Sequence, residues 1–97
     1  MAMYVSLIRL TDQGMRSIKD TTKRGKAFVA AAEKAGVKVR EILWTQGRYD
    51  LVTITEAKSE AAATAVLLSV GALGNVRSET LRAFTSAEMD GILAQLP

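Results

Sequence analysis

Apolar and polar positions along the chain change period at a small number of points, and each change marks an element. Met3–Leu10 is rich in Val, Leu, Ile and Tyr and stops at Thr11-Asp12, which predicts a strand running into a helix start. From Asp12 the spacing turns helical and closes at Ala35-Gly36, glycine being the usual residue just past a helix end. Gly14, Asp20-Thr21-Thr22 and Gly25 lower helix propensity inside this stretch. A short first piece and a longer second piece from about Thr21 are therefore predicted, with Phe28, Ala31, Ala32 and Ala35 on the buried face. Val37–Gln46 and Tyr49–Glu56 are β-rich runs separated by Gly47-Arg48, the pattern of a two-residue type II′ hairpin. Ser59 caps a helix that runs to about Ala72 and is ended by Gly71 and Gly74, with Glu60 well placed in its first turn. Asn75–Phe84 is the fourth strand, and Ser86–Leu96 a short terminal helix carrying Met89, Ile92, Leu93 and Leu96.

The order βαββαβ, with right-handed crossovers, predicts an α+β ferredoxin-like fold: a four-stranded antiparallel sheet with both long helices on one side. Pairing Gln46 with Tyr49 across the hairpin sets Trp44 opposite Leu51 and Ile42 opposite Thr53. One face then holds Ile42, Trp44, Tyr49, Leu51, Thr53 and Thr55. The other holds Leu43, Val52 and Ile54, with Glu41, Thr45 and Asp50 near its ends, and its aliphatic centre suits packing under helices. On that assignment the bare face carries Trp44, Ile42 and Leu51 together with Tyr4 and Ile8, and is too apolar to leave in water. A homodimer, or a higher homo-oligomer, in which a second copy covers it follows.

Composition narrows the chemistry. The chain has 97 residues, 48% of them hydrophobic, which fits one domain over 1–97. At this size folding buries roughly 64% of the extended surface, a thin margin that association would improve. There are no cysteines and no histidines, which removes disulfide scaffolds, thiol nucleophiles, the ordinary zinc sites, Ser-His-Asp triads and histidine-ligated haem. No metal and no cofactor is expected. The net charge of +3 needs no explanation beyond solubility. Arg24-Gly25-Lys26-Ala27-Phe28-Val29 echoes an RNA-binding strand motif, but Lys26 and Ala31 stand where stacking aromatics are required, so nucleic acid is not an expected partner. The amino-terminal apolar run is cut by Arg9, and Ala61–Leu73 is too short to span a bilayer, so no membrane role and a cytoplasmic location are expected. Arg16, Lys19, Lys23 and Lys26 recur along one helix face and read as a solvated surface.

Two blocks, Trp44-Thr45-Gln46-Gly47-Arg48-Tyr49-Asp50 and Gly71-Ala72-Leu73-Gly74-Asn75-Val76-Arg77-Ser78-Glu79-Thr80-Leu81-Arg82-Ala83-Phe84, resemble the GYD-domain family, and the resemblance covers nearly the whole chain. It implies a ferredoxin-like fold of the dimeric α+β barrel type, in which two sheets close around a shared interior, and it implies no particular reaction. In such a barrel Trp44, Tyr49, Thr53 and Thr55 line the interior, joined by Tyr4 and Ser6 from the first strand. Aromatic walls with a few hydroxyls suit a small, flat, hydrophobic or aromatic molecule, and the same residues also read as plain dimer core. Arg77 and Arg82 either reach the barrel mouth to hold an anionic substituent or, for Arg77, pair with Glu79 at the surface. Tyr4, Tyr49 and Asp50 are the candidates for cofactor-free acid–base chemistry. Two functional readings follow: a homodimeric barrel that binds a small molecule, with or without such chemistry, and a non-catalytic assembly or interaction module.

Overall fold

The computed structural model describes residues 1–97. Its elements are β1 (Ala2–Leu10), α1 (Asp12–Arg16), a 3-10 turn (Ile18–Asp20), α2 (Thr21–Lys34), β2 (Val37–Trp44), β3 (Leu51–Ala57), α3 (Glu60–Ala72), β4 (Val76–Ala83) and α4 (Ser86–Leu93). The strands form one antiparallel sheet in the order β2-β3-β1-β4. Helix limits follow local chemistry. Thr11 Oγ1 accepts from the Gly14 N–H at 3.1 Å to start α1, and Ser59 Oγ accepts from the Ala62 N–H at 3.1 Å to start α3. Gly36, at φ +81°, leaves α2 through a left-handed conformation. Thr85 and Glu88 form a reciprocal capping box on α4, and the Thr85 N–H on its carboxylate holds Glu88 below its ordinary pKa. A lowered folded-state pKa means that this cap is intact above the carboxyl's ordinary range and is lost as the pH falls.

The β2–β3 register is the predicted one at Trp44↔Leu51 and Ile42↔Thr53. The predicted two-residue turn is not present. The ladder stops at Trp44 and resumes at Leu51, and residues 45–50 form a loop closed by the Thr45 N–H on the Asp50 carbonyl (2.8 Å) and the Thr45 hydroxyl on the Tyr49 carbonyl (2.6 Å). A bulge between Val39 and Glu41 inserts one residue into β2. It shifts the strand's parity, so that Val37, Val39, Ile42 and Trp44 all join the face of Ala57, Thr55, Thr53 and Leu51.

That face lies under the helices, which reverses the predicted sidedness. Tyr4, Ser6, Leu51, Thr53, Thr55 and Ala57 are buried against α2 and α3, whereas Val5, Leu7, Val52 and Ile54 point to the uncovered side. The reason is steric. The buried stripe of the helices is rich in alanine, with Ala32 and Ala63 at its centre, and it packs closely on a face where the small Ser6, Thr53, Thr55 and Ala57 leave room around Tyr4. Ala31 and Ala35, predicted as buried, are exposed because the helices rest on the sheet along a narrow line. The result is a slab 18 Å thick, one sheet layer and one helix layer, with 11 of 97 residues buried.

The core of Tyr4, Ala32, Val37, Ala57, Ala63 and Val66 sits at one end of the sheet. At the other end the turn before β4 is drawn against α1: a methyl group on Gly14 would lie 2.2 Å from the Asn75 carbonyl oxygen, while one on Gly71 meets nothing within 4 Å. Gly14→Ala should therefore cost about 3 kcal/mol by forcing the turn off α1, and Gly71→Ala should add about 0.5–1 kcal/mol through helix propensity. Urea denaturation of the two variants beside the parent measures both.

Candidate functional site

The loop 45–50 and the turn 71–75 converge on the end of β1. Asp50 Oδ2 accepts from the Leu10 N–H at 2.8 Å, and the Asp50 N–H donates to the Ile8 carbonyl at 2.8 Å. Next along the chain, the Thr11 N–H donates to the Asn75 carbonyl (3.0 Å) and the Thr11 hydroxyl to the Gly74 carbonyl (2.6 Å), where Gly74 takes φ +85°. Gln13 Nε2 adds bonds to the Leu73 carbonyl and to Asn75 Oδ1, both 3.0 Å. Tyr49 lies under the Arg9 guanidinium, 5.1 Å from its ring centre, and donates to Glu79 Oε2 at 3.0 Å, bridging β1 to β4. Arg9 Nε in turn reaches the Arg48 carbonyl at 3.1 Å.

This arrangement parts the predicted acid–base candidates. Tyr49 and Asp50 pin a loop, and each already has a hydrogen-bond partner. Tyr4 lies on the helix side, and its hydroxyl is the one buried side-chain polar atom without a partner. The three are not gathered around a common point. Among the predicted ligand-binding residues, Ser6, Thr53 and Thr55 are buried beneath the helices, with Ser6 Oγ and Thr80 Oγ1 bonded at 2.9 Å. Trp44 shares that side. Its Nε1 donates to Thr21 Oγ1 at 3.0 Å and its ring lies against Gly25, which explains a glycine within α2: a methyl group there would meet the indole at 3.4 Å. Arg82 also lies on the helix side, stacked on Phe84 (4.4 Å) and Tyr4 (5.7 Å) and bonded to the Met3 and Ala83 carbonyls. Arg77 bonds to the Gly71 and Val76 carbonyls and not to Glu79. No three acidic side chains cluster so as to ligate a metal ion.

The uncovered face is aliphatic. Register places Met3, Val5 and Leu7 of β1 beside Val52 and Ile54 of β3, with Leu43 and Leu81 from the two edge strands, 49% and 46% exposed. Charge surrounds this aliphatic strip: the Arg40–Glu56 ion pair (3.1 Å) lies at one end and Arg9 at the other, while the edge strands carry Glu41 level with Ile54 and Glu79, bonded to Tyr49, level with Leu7. On the opposite side, α2 and α3 leave a cleft of about 400 Å³ over Leu51 and Thr53. Of its walls, Phe28 reads in sequence as a buried helix position, Arg24 as part of an echo of an RNA-binding motif and Val70 as an ordinary helix residue, and none of the three is marked there as lining a cleft.

A four-stranded antiparallel sheet in this order with both long helices on one face defines the ferredoxin-like class. The GYD domain matches residues 4–93, and the chain belongs to the GYD-domain family. A Thermus thermophilus protein described as a glutamine synthetase and cystathionine beta-lyase binding protein is 29% identical over 90 residues, which are 92% of this chain and 95% of that protein. The crystal structure of TTHA0845, also from Thermus thermophilus, shares the fold with a TM-score of 0.58 at 27% identity, over 89% of this chain and 96% of that one. The first block that carries the resemblance is the loop tied to the end of β1, and the second runs from the turn 71–75 at that same point through the whole of β4.

Replacing Asp50 by Ala leaves the Leu10 N–H unpaired and should cost about 1–3 kcal/mol, whereas Asp50→Asn keeps an acceptor oxygen and should lose less than half as much. Thr11→Ala removes a helix cap and should cost about 1–2 kcal/mol. Chemical denaturation gives the energies, and faster amide exchange at Leu10 in Asp50→Ala alone ties the loss to that bond.

Proposed function

We propose that this protein is a homo-oligomeric interaction module, a homodimer at its simplest, in which the uncovered faces of two sheets meet. The observation that carries the reading is the aliphatic surface of Met3, Val5, Leu7, Val52 and Ile54 across the two central strands, rimmed by charges of both signs. Water leaves such a surface favourably, at about 25 cal/mol per Å². A two-fold pairing can set the Arg9 end of one copy against acidic groups of the other, which an isologous contact between identical faces requires. Two slabs stacked in this way form the dimeric barrel that the resemblance implies.

This face favours assembly over chemistry. Between Glu56 and Arg9 its two central strands present only Met3, Val5, Leu7, Val52 and Ile54, and the carboxylates Glu41 and Glu79 stand on the edge strands, so an interior formed from two copies packs as a core along its middle. The side chains that the sequence assigns to that interior, Trp44, Thr53, Thr55, Ser6 and Tyr4, lie behind the sheet, which removes the basis for an inter-sheet ligand chamber. The Thermus thermophilus relative's description as a binding protein for two enzymes supports protein partners here too, met by surfaces that the pairing leaves outside.

Native mass spectrometry and sedimentation of the purified chain should show a dimer or a multiple of it at about 10 μM. Ile54→Lys and Val5→Lys, each placing a charge in the middle of the contact, should weaken association at least about 100-fold while far-ultraviolet circular dichroism stays unchanged. A monomeric parent, or a dimer indifferent to both substitutions, overturns the reading. A discrete small-molecule adduct lost in the same two variants would restore the ligand chamber.

A further inference from the structure

Behind the sheet, α2 and α3 pack together at the Tyr4 end and separate at the Leu51 end, and the separation opens the cleft of about 400 Å³. That volume is typical of small-molecule sites, which run from about 300 to 1,000 Å³. Its walls are apolar, chiefly Phe28, Ile42, Leu51 and Val70. Two polar features set it apart from a gap in the packing.

The first is Arg24, half-buried in the α2 wall. Its guanidinium donates to the Ser17 carbonyl (2.9 Å), Ser17 Oγ (3.0 Å) and the Gly14 carbonyl (3.2 Å), which fix its position. All three acceptors are neutral. The chain's one ion pair joins Arg40 and Glu56, so no carboxylate lies within ion-pair distance of Arg24. A guanidinium has five N–H groups, which leaves two available, and a partly desolvated cation beside an apolar wall favours an anionic partner.

The second is the Tyr4 hydroxyl. Phe28 and Thr53 border both the main cleft and a small inner recess of about 10 Å³ that Tyr4, Ser6 and Thr55 also line. Tyr4 is 9% exposed and its hydroxyl has no partner within the chain. A buried hydroxyl left unpaired costs free energy, and a polar atom reaching the recess would recover it. From the level of Leu51 to that of Thr55 is four residues of β3, about 13 Å at roughly 3.3 Å per residue, comparable with a chain of about ten carbons.

We infer that this cleft binds an elongated apolar monocarboxylate, with its carboxylate on Arg24, its body over Phe28 and a distal hydroxyl at Tyr4. The site lies within one copy and does not depend on self-association.

The test is titration of the intact protein with 10-hydroxydecanoate, decanoate and 1-decanol, below their micelle concentrations, read by calorimetry and by backbone amide shifts. Decanoate should bind at least about tenfold more tightly than 1-decanol, because only the acid makes a charge-assisted contact with Arg24. The hydroxy acid should exceed decanoate about threefold, a preference that Tyr4→Phe abolishes. Shifts should centre on Thr53 and Val70. Arg24→Gln should erase the preference for acid over alcohol, and Arg24→Lys should keep part of it. The parent's discrimination stands as a test even where Arg24→Gln loosens α1. Equal affinity for acid and alcohol, shifts centred on Val5 and Ile54, or no saturable binding of any of the three overturns the proposal.

Discussion

The end of β1 is where this thin protein is held together. With one layer of helix on one layer of sheet and little enclosed core, apolar burial alone leaves the loops loosely attached. Leu10 and Thr11 supply the attachment through backbone and hydroxyl groups. Leu10 gives its N–H to the Asp50 carboxylate, while Thr11 caps α1 and bonds twice to the turn before β4. Through these two residues the β2–β3 loop, α1 and the α3–β4 turn share one anchor. The loop 45–50 and the turn that opens the second sequence block therefore meet at a single point, where the Tyr49, Asp50 and Asn75 side chains are all engaged in hydrogen bonds.

Sidedness decides what each surface is for. Crossovers of one hand place α2 and α3 on the same side of the sheet, and only one face can accept them. The face with Ser6, Thr53, Thr55 and Ala57 accepts alanine-lined helices at short range, so hydroxyl and aromatic groups end up inside a monomer. What remains outside is an aliphatic strip along the central strands with charged residues at its margins, the character of a surface that meets another protein. The interaction reading and the ligand reading consequently belong to opposite faces of one sheet, and the GYD architecture keeps them apart.

Helix divergence separates core from cleft on the inner face. Near Tyr4 the small side chains of Ala32 and Ala63 let α2 and α3 close on the sheet; toward Leu51 the Trp44 ring lies against Gly25, and a 3-10 turn separates α1 from α2. Arg24 bonds to Ser17 and Gly14 across that break, which holds a charged group at the rim of an apolar hollow.

Much of this was legible in the chain itself. Element order, the caps at Ser59 and Gly36, the break in the first helix and the Trp44↔Leu51 register all follow from period and from turn residues, because each is settled by neighbours a few positions away. Strand alternation also grouped Ile42, Trp44, Leu51, Thr53 and Thr55 on one face, as found. Tyr49 was the exception, since the six-residue loop releases it from the ladder and the Glu79 carboxylate draws it to the other side. Alternation states which residues share a face and nothing about which face the helices take. That choice depends on crossover geometry and on how closely alanine stripes can approach, quantities that exist only once the chain is folded. The parity shift at Arg40, the meeting of Asp50, Thr11 and Gly74, and the hollow beside Arg24 are likewise set by residues far apart in sequence, so only the tertiary structure could decide them.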